Sequence, residues 1–480
     1  MRNGLNSQFL FYFITLLVMI LHCYTLDLFP LPWFDEIHFA GISKSLADDG
    51  NLASHFLSFT KGNTNSLSYG PVFFAIQSSF IKLFGFNIHS IRLSTLIFGI
   101  ANVIIVYVIG LRITNSKITS SFVGICFSMD LFYSTILHEG RMETFISLLF
   151  LSSVLLIQSK SINDYIKVGL VSLLCVLSFS TSPRSFILII PLIAYLLYNI
   201  PKNHMIMGLL FFSIFFFVYS FWLFFAFDSL SHWFYHYLAV IKGNKTAIYG
   251  YLGGNFYIPK SQYLLIITTL ILTFVNRKLI KQPLVFLFLG NLLMFYSLVH
   301  DWGNYSSLVI PLYYLLIILL LNNISSKKSR MLFITPLLLF NMFYFSIKMI
   351  STVLEREHRS IDTVSVNLSK IITPGDKVIG DDIMVYIAEE NKWNFQVFTH
   401  YKDLEEREVS LRKRFHYDFL LVSQGAYSKN KDDVDYFIQK GGLKLIDHFD
   451  YPPHSINSFL SKVGLSTMEK RGYSYFLYAR

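Results

Sequence analysis

Long apolar runs recur along most of this chain, and they constrain its fold more than any other feature. A helix crosses a bilayer core of about 30 Å with about 20 consecutive apolar residues. Runs close to this length lie at 8–28, 91–112, 119–137, 142–158, 168–183, 184–200, 205–227, 261–276, 282–300, 305–323 and 331–350. Pro71–Phe86 is apolar but shorter, and we interpret it as an interfacial or re-entrant helix. The pattern predicts a polytopic α-helical membrane protein with about eleven spans.

The composition excludes the common soluble classes. Of the 480 residues, 53% are hydrophobic and only 15% are charged, whereas soluble domains carry about 25% charged residues. The mean hydropathy is +0.50. Disorder requires few apolar residues, and the three cysteines provide neither a disulfide framework nor the spacing of a zinc site. An ordinary soluble enzyme and a disordered chain are therefore both excluded.

The distribution of basic residues predicts how the chain lies in the membrane. Residues 1–350 carry 22 basic and 11 acidic side chains, whereas residues 351–480 carry 18 and 19. Basic residues fall at every second connection, which is the pattern of cytoplasmic loops. They are Arg112, Lys117, Lys160, Lys167, Lys202, Arg277, Lys278, Lys281, Lys327, Lys328 and Arg330. We therefore expect a cytoplasmic (inner or plasma) membrane protein with its amino end inside, its carboxyl end outside and no nucleic-acid partner.

Three segments of appreciable length face outward in this topology, namely 29–70, 228–260 and 351–480. The last contains short apolar runs typical of strands, separated by polar stretches typical of helices, which predicts a small α/β domain. The strand-like runs are Lys377–Gly380, Asp418–Ser423, Leu443–Ile446 and Tyr473–Ala479, and the helix-like stretches are Leu404–Phe415 and Asp432–Lys440. We predict a transmembrane module over 1–350 and a soluble extracytoplasmic domain over 351–480.

Two adjacent carboxylates, Asp35 and Glu36, follow the first span in a loop rich in aromatic residues, and His38 lies two positions further on. Adjacent residues on a helix point about 100° apart, so the two carboxylates cannot face one substrate atom equally. Asp35 could act as a base on a hydroxyl group, whereas Glu36 fits a role in orienting the backbone or a partner. The alternative is that Asp35 caps an interfacial helix and that Glu36 and His38 are solvated.

Several cationic side chains lie at the predicted outward ends of spans, against the positive-inside trend. They are Arg92, His138, Arg141 and Arg184. The planar donor fork of arginine suits a phosphate group. The alternative is snorkelling to lipid headgroups or pairing with Asp130, Glu139 or Glu143. Asp130 lies within a predicted span, where an ionisable group is a functional candidate.

The segment Phe34–Phe39 closely resembles the carboxylate motif in the first lumenal loop of protein O-mannosyltransferases. The wider pattern resembles the GT-C superfamily, which includes the bacterial aminoarabinose transferase of lipid A. Further similar motifs follow in the same order along the first two-thirds of the chain. They are Tyr69-Gly70-Pro71, with one proline where the family has a pair, Gly85 followed by Arg92, Arg141-Met142-Glu143, with Glu in place of Asp, and Tyr305 through Pro311.

This resemblance implies an inverting transferase that moves a sugar from a polyprenyl-phosphate donor, of undecaprenyl or dolichyl type, to a hydroxyl group of a protein, lipid or glycan. It implies a catalytic role for Asp35 and Glu36, and donor-phosphate contacts for Arg92, Arg141 and Arg184. The supporting candidates are His38, Asp130, His138, Glu143 and Tyr305. Some GT-C relatives that transfer oligosaccharide to asparagine use a divalent cation held by carboxylates, whereas the mannosyltransferase-like and aminoarabinose-transferase-like branches do not need one. The closer resemblance to these branches implies no catalytic metal, and we expect no cofactor.

Two other classes of protein compete with this interpretation. A transporter or lipid flippase of the cell-envelope glycan pathway should show repeated halves and polar groups near the middle of the membrane. A non-catalytic assembly or receptor protein would use 351–480 to bind a partner. The gathering of polar candidates at one face favours the transferase, which predicts that Asp35, Arg92 and Arg141 converge on one outward cavity.

Overall fold

The computed structural model describes residues 2–52, 69–200, 203–226, 260–298, 305–397, 417–429, 431–450 and 473–480. The outward segment predicted at 228–260 lies outside the described residues except for its last position. The stretch Leu404–Phe415, predicted to be helical, also lies outside them.

Helices form the apolar part of the chain, and each predicted span has a counterpart among them. They are α1 (Arg2–Thr25), α2 (Phe34–Asp48), α3 (Pro71–Phe84), α4 (Ile88–Thr114), α5 (Lys117–Ser128), α6 (Leu131–Ile136), α7 (Glu143–Ile157), α8 (Asp164–Thr181), α9 (Phe186–Asn199), α10 (His204–Ala226), α11 (Lys260–Val275), α12 (Pro283–Leu298), α13 (Ile310–Asn322) and α14 (Lys327–Leu354). In α1, α4, α8, α10 and α14 the structure has helices long and apolar enough to cross a membrane.

The predicted span 119–137 is divided in the structure by Asp130. This carboxylate accepts a hydrogen bond of 2.8 Å from the backbone N–H of Tyr133 and so caps the N-terminus of α6. A buried N-terminal cap starts a new helix, so one continuous helix over 119–137 was a wrong prediction.

The loop predicted at 29–70 is partly helical, because α2 begins one residue before Asp35. Trp33 stands at its N-cap with extended backbone, and no side-chain hydrogen bond caps the helix. The alternative that Asp35 is the cap is therefore wrong. The neighbouring helix α3 has 14 residues and measures about 21 Å at 1.5 Å per residue, which is short for a span.

Burial separates the centre of the helical module from its periphery. Every residue from Ile310 to Leu321 in α13 is buried, and this helix contacts α4, α5, α11 and α12. In contrast, α10 exposes large apolar side chains, among them Phe216, Phe217 and Phe224. An apolar surface of this extent requires an apolar surrounding, so α10 presents a face suited to lipid.

The carboxyl-terminal part is a small α/β domain, as the alternation of strand-like and helix-like runs predicted. Its elements are α15 (Arg356–Arg359), α16 (Ile361–Leu368), β1 (Lys377–Gly380), α17 (Val385–Glu390), β2 (Asn394–Val397), β3 (Phe419–Ser423), α18 (Gln424–Lys429), α19 (Lys431–Gly441), β4 (Lys444–Phe449) and β5 (Tyr475–Ala479). The strand order is β2-β1-β3-β5-β4. β1 pairs in parallel with β2 and β3, whereas β5 is antiparallel to β3 and β4.

Candidate active site

The two carboxylates at the start of α2 have different arginine partners. The Asp35 Oδ2 atom lies 2.6 Å from Nη1 of Arg141, and the Glu36 Oε1 atom lies 2.6 Å from Nε of Arg92. The two residues are adjacent on a helix and point about 100° apart. The sequence prediction that they cannot serve the same atom agrees with this arrangement.

The Arg92 side chain is wholly committed to contacts inside the protein. Its Nε and Nη2 groups donate to the two carboxylate oxygens of Glu36 at 2.6 and 2.8 Å. Nη1 donates to the carbonyl groups of Leu26 and Phe29, and Nη2 donates to that of Pro30. Since a guanidinium group has five N–H groups, none remains for a donor phosphate. This geometry opposes the predicted phosphate contact of Arg92 and gives the residue a structural role in the segment before α2.

The Arg141 guanidinium group joins Asp35 to a second carboxylate and to an aromatic enclosure. Its Nε and Nη2 atoms donate to Glu143 at 3.1 and 2.7 Å. The rings of Trp33 and Tyr305 lie 4.9 and 5.5 Å from the guanidinium carbon. The Asp35 side chain is 33% exposed, whereas those of Glu36 and Glu143 are 0% and 5% exposed. Asp35 is therefore the carboxylate of this group that a substrate can reach.

Arg184 contacts the same Tyr305 ring and lies in a short 3-10 turn at Pro183–Ser185. Its guanidinium carbon is 4.3 Å from the ring centroid, and Nη1 donates to the Tyr305 hydroxyl. Nη1 also lies 3.4 Å from the hydroxyl of Tyr69. In the part of the chain that the structure covers, no carboxylate forms an ion pair with Arg184. A partly exposed arginine held by hydroxyl groups is suited to an external anion.

A glycine allows Tyr69 and Arg184 to meet. A Cβ atom at Gly70 would lie 1.4 Å from the carbonyl oxygen of Ser180. The start of α3 therefore touches α8 at Ser180, three residues before Pro183, where the turn that holds Arg184 begins. Proline also carries a Cβ, so the departure from the family's proline pair at this position is required by the packing.

Two further predicted residues, His138 and Asp130, are buried and form hydrogen bonds within the helical module. The His138 Nδ1 atom is 3.0 Å from the carbonyl oxygen of Phe29, which can only accept, so Nδ1 donates. The Nε2 atom of a neutral His138 then accepts from Nδ1 of His22 at 2.8 Å. Asp130 accepts hydrogen bonds from Tyr314 as well as from the backbone of α6. Both residues therefore hold the protein together, and neither contacts Asp35.

His38 is one turn along α2 from Asp35, and its ring lies 5.7 Å from that of Phe39. The Phe39 ring in turn lies 5.7 Å from the Arg141 guanidinium carbon. Among the described residues, no group of three or more His, Cys, Asp or Glu is arranged to hold a metal ion.

Three residues near the site were not predicted to contribute to it. Trp33 contacts Arg141 and Tyr69 contacts Arg184, and both residues belong to the aromatic segments that flank the sequence motifs. The sequence indicates only a pairing role with an arginine for Glu139. Its Oε2 atom is buried without a hydrogen-bond partner in the described structure, in the connection between α6 and α7. Burial, opposed by Arg141 and reinforced by Glu36, raises the pKa of Glu139 to about 8.

Comparison with known proteins identifies a similar family and similar structures. Residues 68–224 match the family described as dolichyl-phosphate-mannose-protein mannosyltransferase. This segment contains Arg92, Arg141 and Arg184 and begins after Asp35. No curated protein matches the chain by sequence.

The fold is similar to that of ArnT from Cupriavidus metallidurans bound to undecaprenyl phosphate. The TM-score is 0.59 at 11% sequence identity, over 98% of this chain and 97% of ArnT. The apo state of the same enzyme gives a TM-score of 0.56 at 11% identity, over 99% and 98% of the two chains. The oligosaccharyltransferase of Archaeoglobus fulgidus, in complex with Zn and sulfate, gives 0.53 at 11% identity, over 85% of this chain and 68% of that one.

The chain is therefore an integral membrane protein with a GT-C type fold and a small carboxyl-terminal sheet domain. The resemblance to mannosyltransferase-like and ArnT-like glycosyltransferases, which its motifs predicted, is confirmed by the family match and by the fold.

Proposed function

We propose that the chain is an inverting glycosyltransferase that moves a sugar from a polyprenyl phosphate to an acceptor hydroxyl group. One observation carries the proposal. The partly exposed carboxylate of Asp35 is paired with Arg141, and the guanidinium carbons of Arg141 and Arg184 lie 5.5 and 4.3 Å from the centre of the same Tyr305 ring. A base for the acceptor and a cation for an anionic leaving group therefore occupy neighbouring positions.

The proposed step follows from these side chains. Asp35 accepts the proton of the acceptor hydroxyl group, while the oxygen atom of that hydroxyl group bonds to the anomeric carbon of the sugar. The bond from that carbon to the phosphate oxygen breaks, and its electron pair stays on the lipid phosphate. Arg184, together with Arg141, stabilises the negative charge. Attack from the face opposite the leaving group inverts the anomeric centre, and neither a separate acid nor a metal is needed.

Glu36 takes the orienting role in this proposal, because both of its oxygens are bonded to Arg92. The donor is a polyprenyl phosphate of undecaprenyl or dolichyl type, and the acceptor is a protein, lipid or glycan. Support for this donor class comes from the similarity to an enzyme that binds undecaprenyl phosphate. The basic connections support an active site and a sheet domain on the extracytoplasmic face of a cytoplasmic membrane.

The test is a turnover assay on purified protein with a panel of polyprenyl-phosphate sugars and candidate acceptors. Release of the lipid phosphate is followed by mass spectrometry. Asp35→Asn should lower the rate by about 10²–10⁴-fold, which is the usual contribution of a general base. Asp48→Asn, at the exposed end of the same helix, is the matched control and should retain activity.

Full turnover by Asp35→Asn would contradict the mechanism. Movement of the intact lipid-linked sugar across a vesicle membrane, without release of lipid phosphate, would instead support the transporter or flippase alternative.

A further inference from the structure

Helix α2 has a second, apolar face, which packs against the sheet domain and does not carry Asp35. Ile37 and Ala40 on this face are 1% and 0% exposed. They belong to one apolar cluster with Met384 and Val385 of the sheet domain, and α2 contacts the 3-10 turn Asp382–Met384 directly. The helix that carries the candidate base is therefore packed between the helical module and the sheet domain.

Polar and aromatic contacts extend this junction towards the end of α2. The Nζ atom of Lys44 lies 3.7 Å from the Glu389 carboxylate and 5.7 Å from the centre of the Phe86 ring. The Phe86 ring lies 5.4 Å from that of Tyr386. The contacts thus join α2, the α3–α4 connection and α17 in one place.

The junction also includes residues next to the Glu36–Arg92 ion pair, which holds the beginning of α2. Tyr386 is 3% exposed, and its hydroxyl has no hydrogen-bond partner among the residues described. Tyr386 shares an apolar cluster with Ile37 and Ile91, the chain neighbours of Glu36 and Arg92. The side chains of Glu36 and Arg92 are themselves fully buried, and the attraction within a buried ion pair is stronger than within an exposed one.

The sheet itself fixes the segment that contacts α2. The 3-10 turn follows β1 after one residue, Asp381. The Oδ2 atom of Asp381 accepts a hydrogen bond of 2.9 Å from the backbone N–H of Ser423, at the end of β3. Since β1 and β3 are neighbours in the sheet, the position of the turn is set by two strands.

We infer that the sheet domain holds α2 in position. Met384, Tyr386 and Glu389 are positioning residues, which act on Asp35 through this helix. The inference rests on the proposed function only for its catalytic consequence. Its structural part is that residues 382–390 of the sheet domain immobilise α2, which applies whatever the protein catalyses.

The test measures hydrogen exchange of the α2 amides by mass spectrometry in the full chain. Met384→Ala should lower the protection of residues 34–48 by tenfold or more. Val434→Ala is the matched control, because Val434 is equally buried but lies in the apolar cluster that contains neither α2 nor α17. Glu389→Lys, a surface change that repels Lys44, should lower the protection of the last turn of α2 without endangering folding.

Activity provides the second measurement. Met384→Ala should lower kcat and leave the donor KM unchanged, whereas Val434→Ala should change neither. Tyr386→Phe should keep most of the activity that Tyr386→Ala loses, because the ring fills the junction. Unchanged protection of α2 in both Met384→Ala and Glu389→Lys, or an equal loss in Val434→Ala, would overturn the inference. If the wild-type protein shows no detectable turnover, the proposed function is contradicted. The hydrogen-exchange comparison of α2 still tests the inference in that case.

Discussion

Three arginines of the site have different roles because they have different partners. Arg92 donates all of its N–H groups within the protein, and Arg141 is divided between Asp35 and Glu143. Arg184 contacts only hydroxyl groups and aromatic rings in the described structure. The sequence predicted the same phosphate contact for all three. It could not separate them, because Glu36 and Asp35 are 56 and 106 residues away from their partners.

Arg184→Gln tests the assignment of the phosphate contact. A hydrogen bond to a charged group contributes about 1.5–3 kcal/mol, so the donor KM should rise by about 10- to 100-fold. The control is Arg112→Gln. Arg112 lies in the last turn of α4, at the end of this helix away from Arg92, so this variant should leave the donor KM unchanged. Equal KM values for the Arg184 variant and the wild type would show that the lipid phosphate binds elsewhere.

Glu139 predicts a pH dependence of stability. Its pKa is raised from 4.5 to about 8, because its carboxyl group is buried. Between pH 4.5 and about pH 8, Glu139 keeps a proton in the folded protein that it has lost in the unfolded chain. The free energy of unfolding should therefore fall as pH rises through this interval. Glu139→Gln should remove this component of the slope, and Glu390→Gln, at an exposed carboxylate, should preserve it. Thermal midpoints in detergent at pH 5, 6.5 and 8 give the comparison, and parallel curves for wild type and Glu139→Gln would refute the prediction.

At the scale of elements, apolar run length predicted the helices well, and local polar contacts produced the exceptions. A buried carboxylate at Asp130 starts a new helix inside an apolar run. Helix α2 lies inside a segment predicted as an outward loop, where an interfacial helix near Asp35 was one alternative. Its burial could not be predicted, because it depends on packing against the sheet domain. Strand β2 (Asn394–Val397) was also missed, since half of its four residues are polar and only Val397 is buried. It forms through parallel pairing with β1, which no local pattern reveals.

The contact between α3 and α8 leads to a prediction at Gly70. Gly70→Ala places a methyl group on the backbone carbonyl of Ser180, which cannot rotate away. Overpacking of this kind costs about 1–3 kcal/mol and should also move Tyr69 from Arg184, raising the donor KM. Gly208→Ala is the control, because nothing lies within 4 Å of the added atom in α10. Thermal midpoints and donor kinetics of the two variants should differ, and identical behaviour would exclude a role for this close approach.

At the scale of the molecule, the site and the basic connections occupy opposite ends of the helices. Asp35, Arg141 and Arg184 lie at helix ends that alternate along the chain with the basic ends, such as the last turn of α4, which contains Arg112. The sheet domain follows α14 and packs on α2, so it lies on the same side as the site. The positive-inside rule predicts that the basic ends face the cytoplasm. The site and the sheet domain should therefore both be extracytoplasmic.

Labelling of intact cells with a membrane-impermeant maleimide tests this orientation. Cys23→Ser provides the background, because Cys126 and Cys175 are buried. Lys370→Cys, exposed beside the sheet domain, should react in intact cells, since its thiol would face the outside. Lys278→Cys, exposed in the basic turn between α11 and α12, should react only after the membrane is permeabilised. The reverse pattern would put Asp35 on the cytoplasmic side, where the charge distribution of the connections would have no explanation.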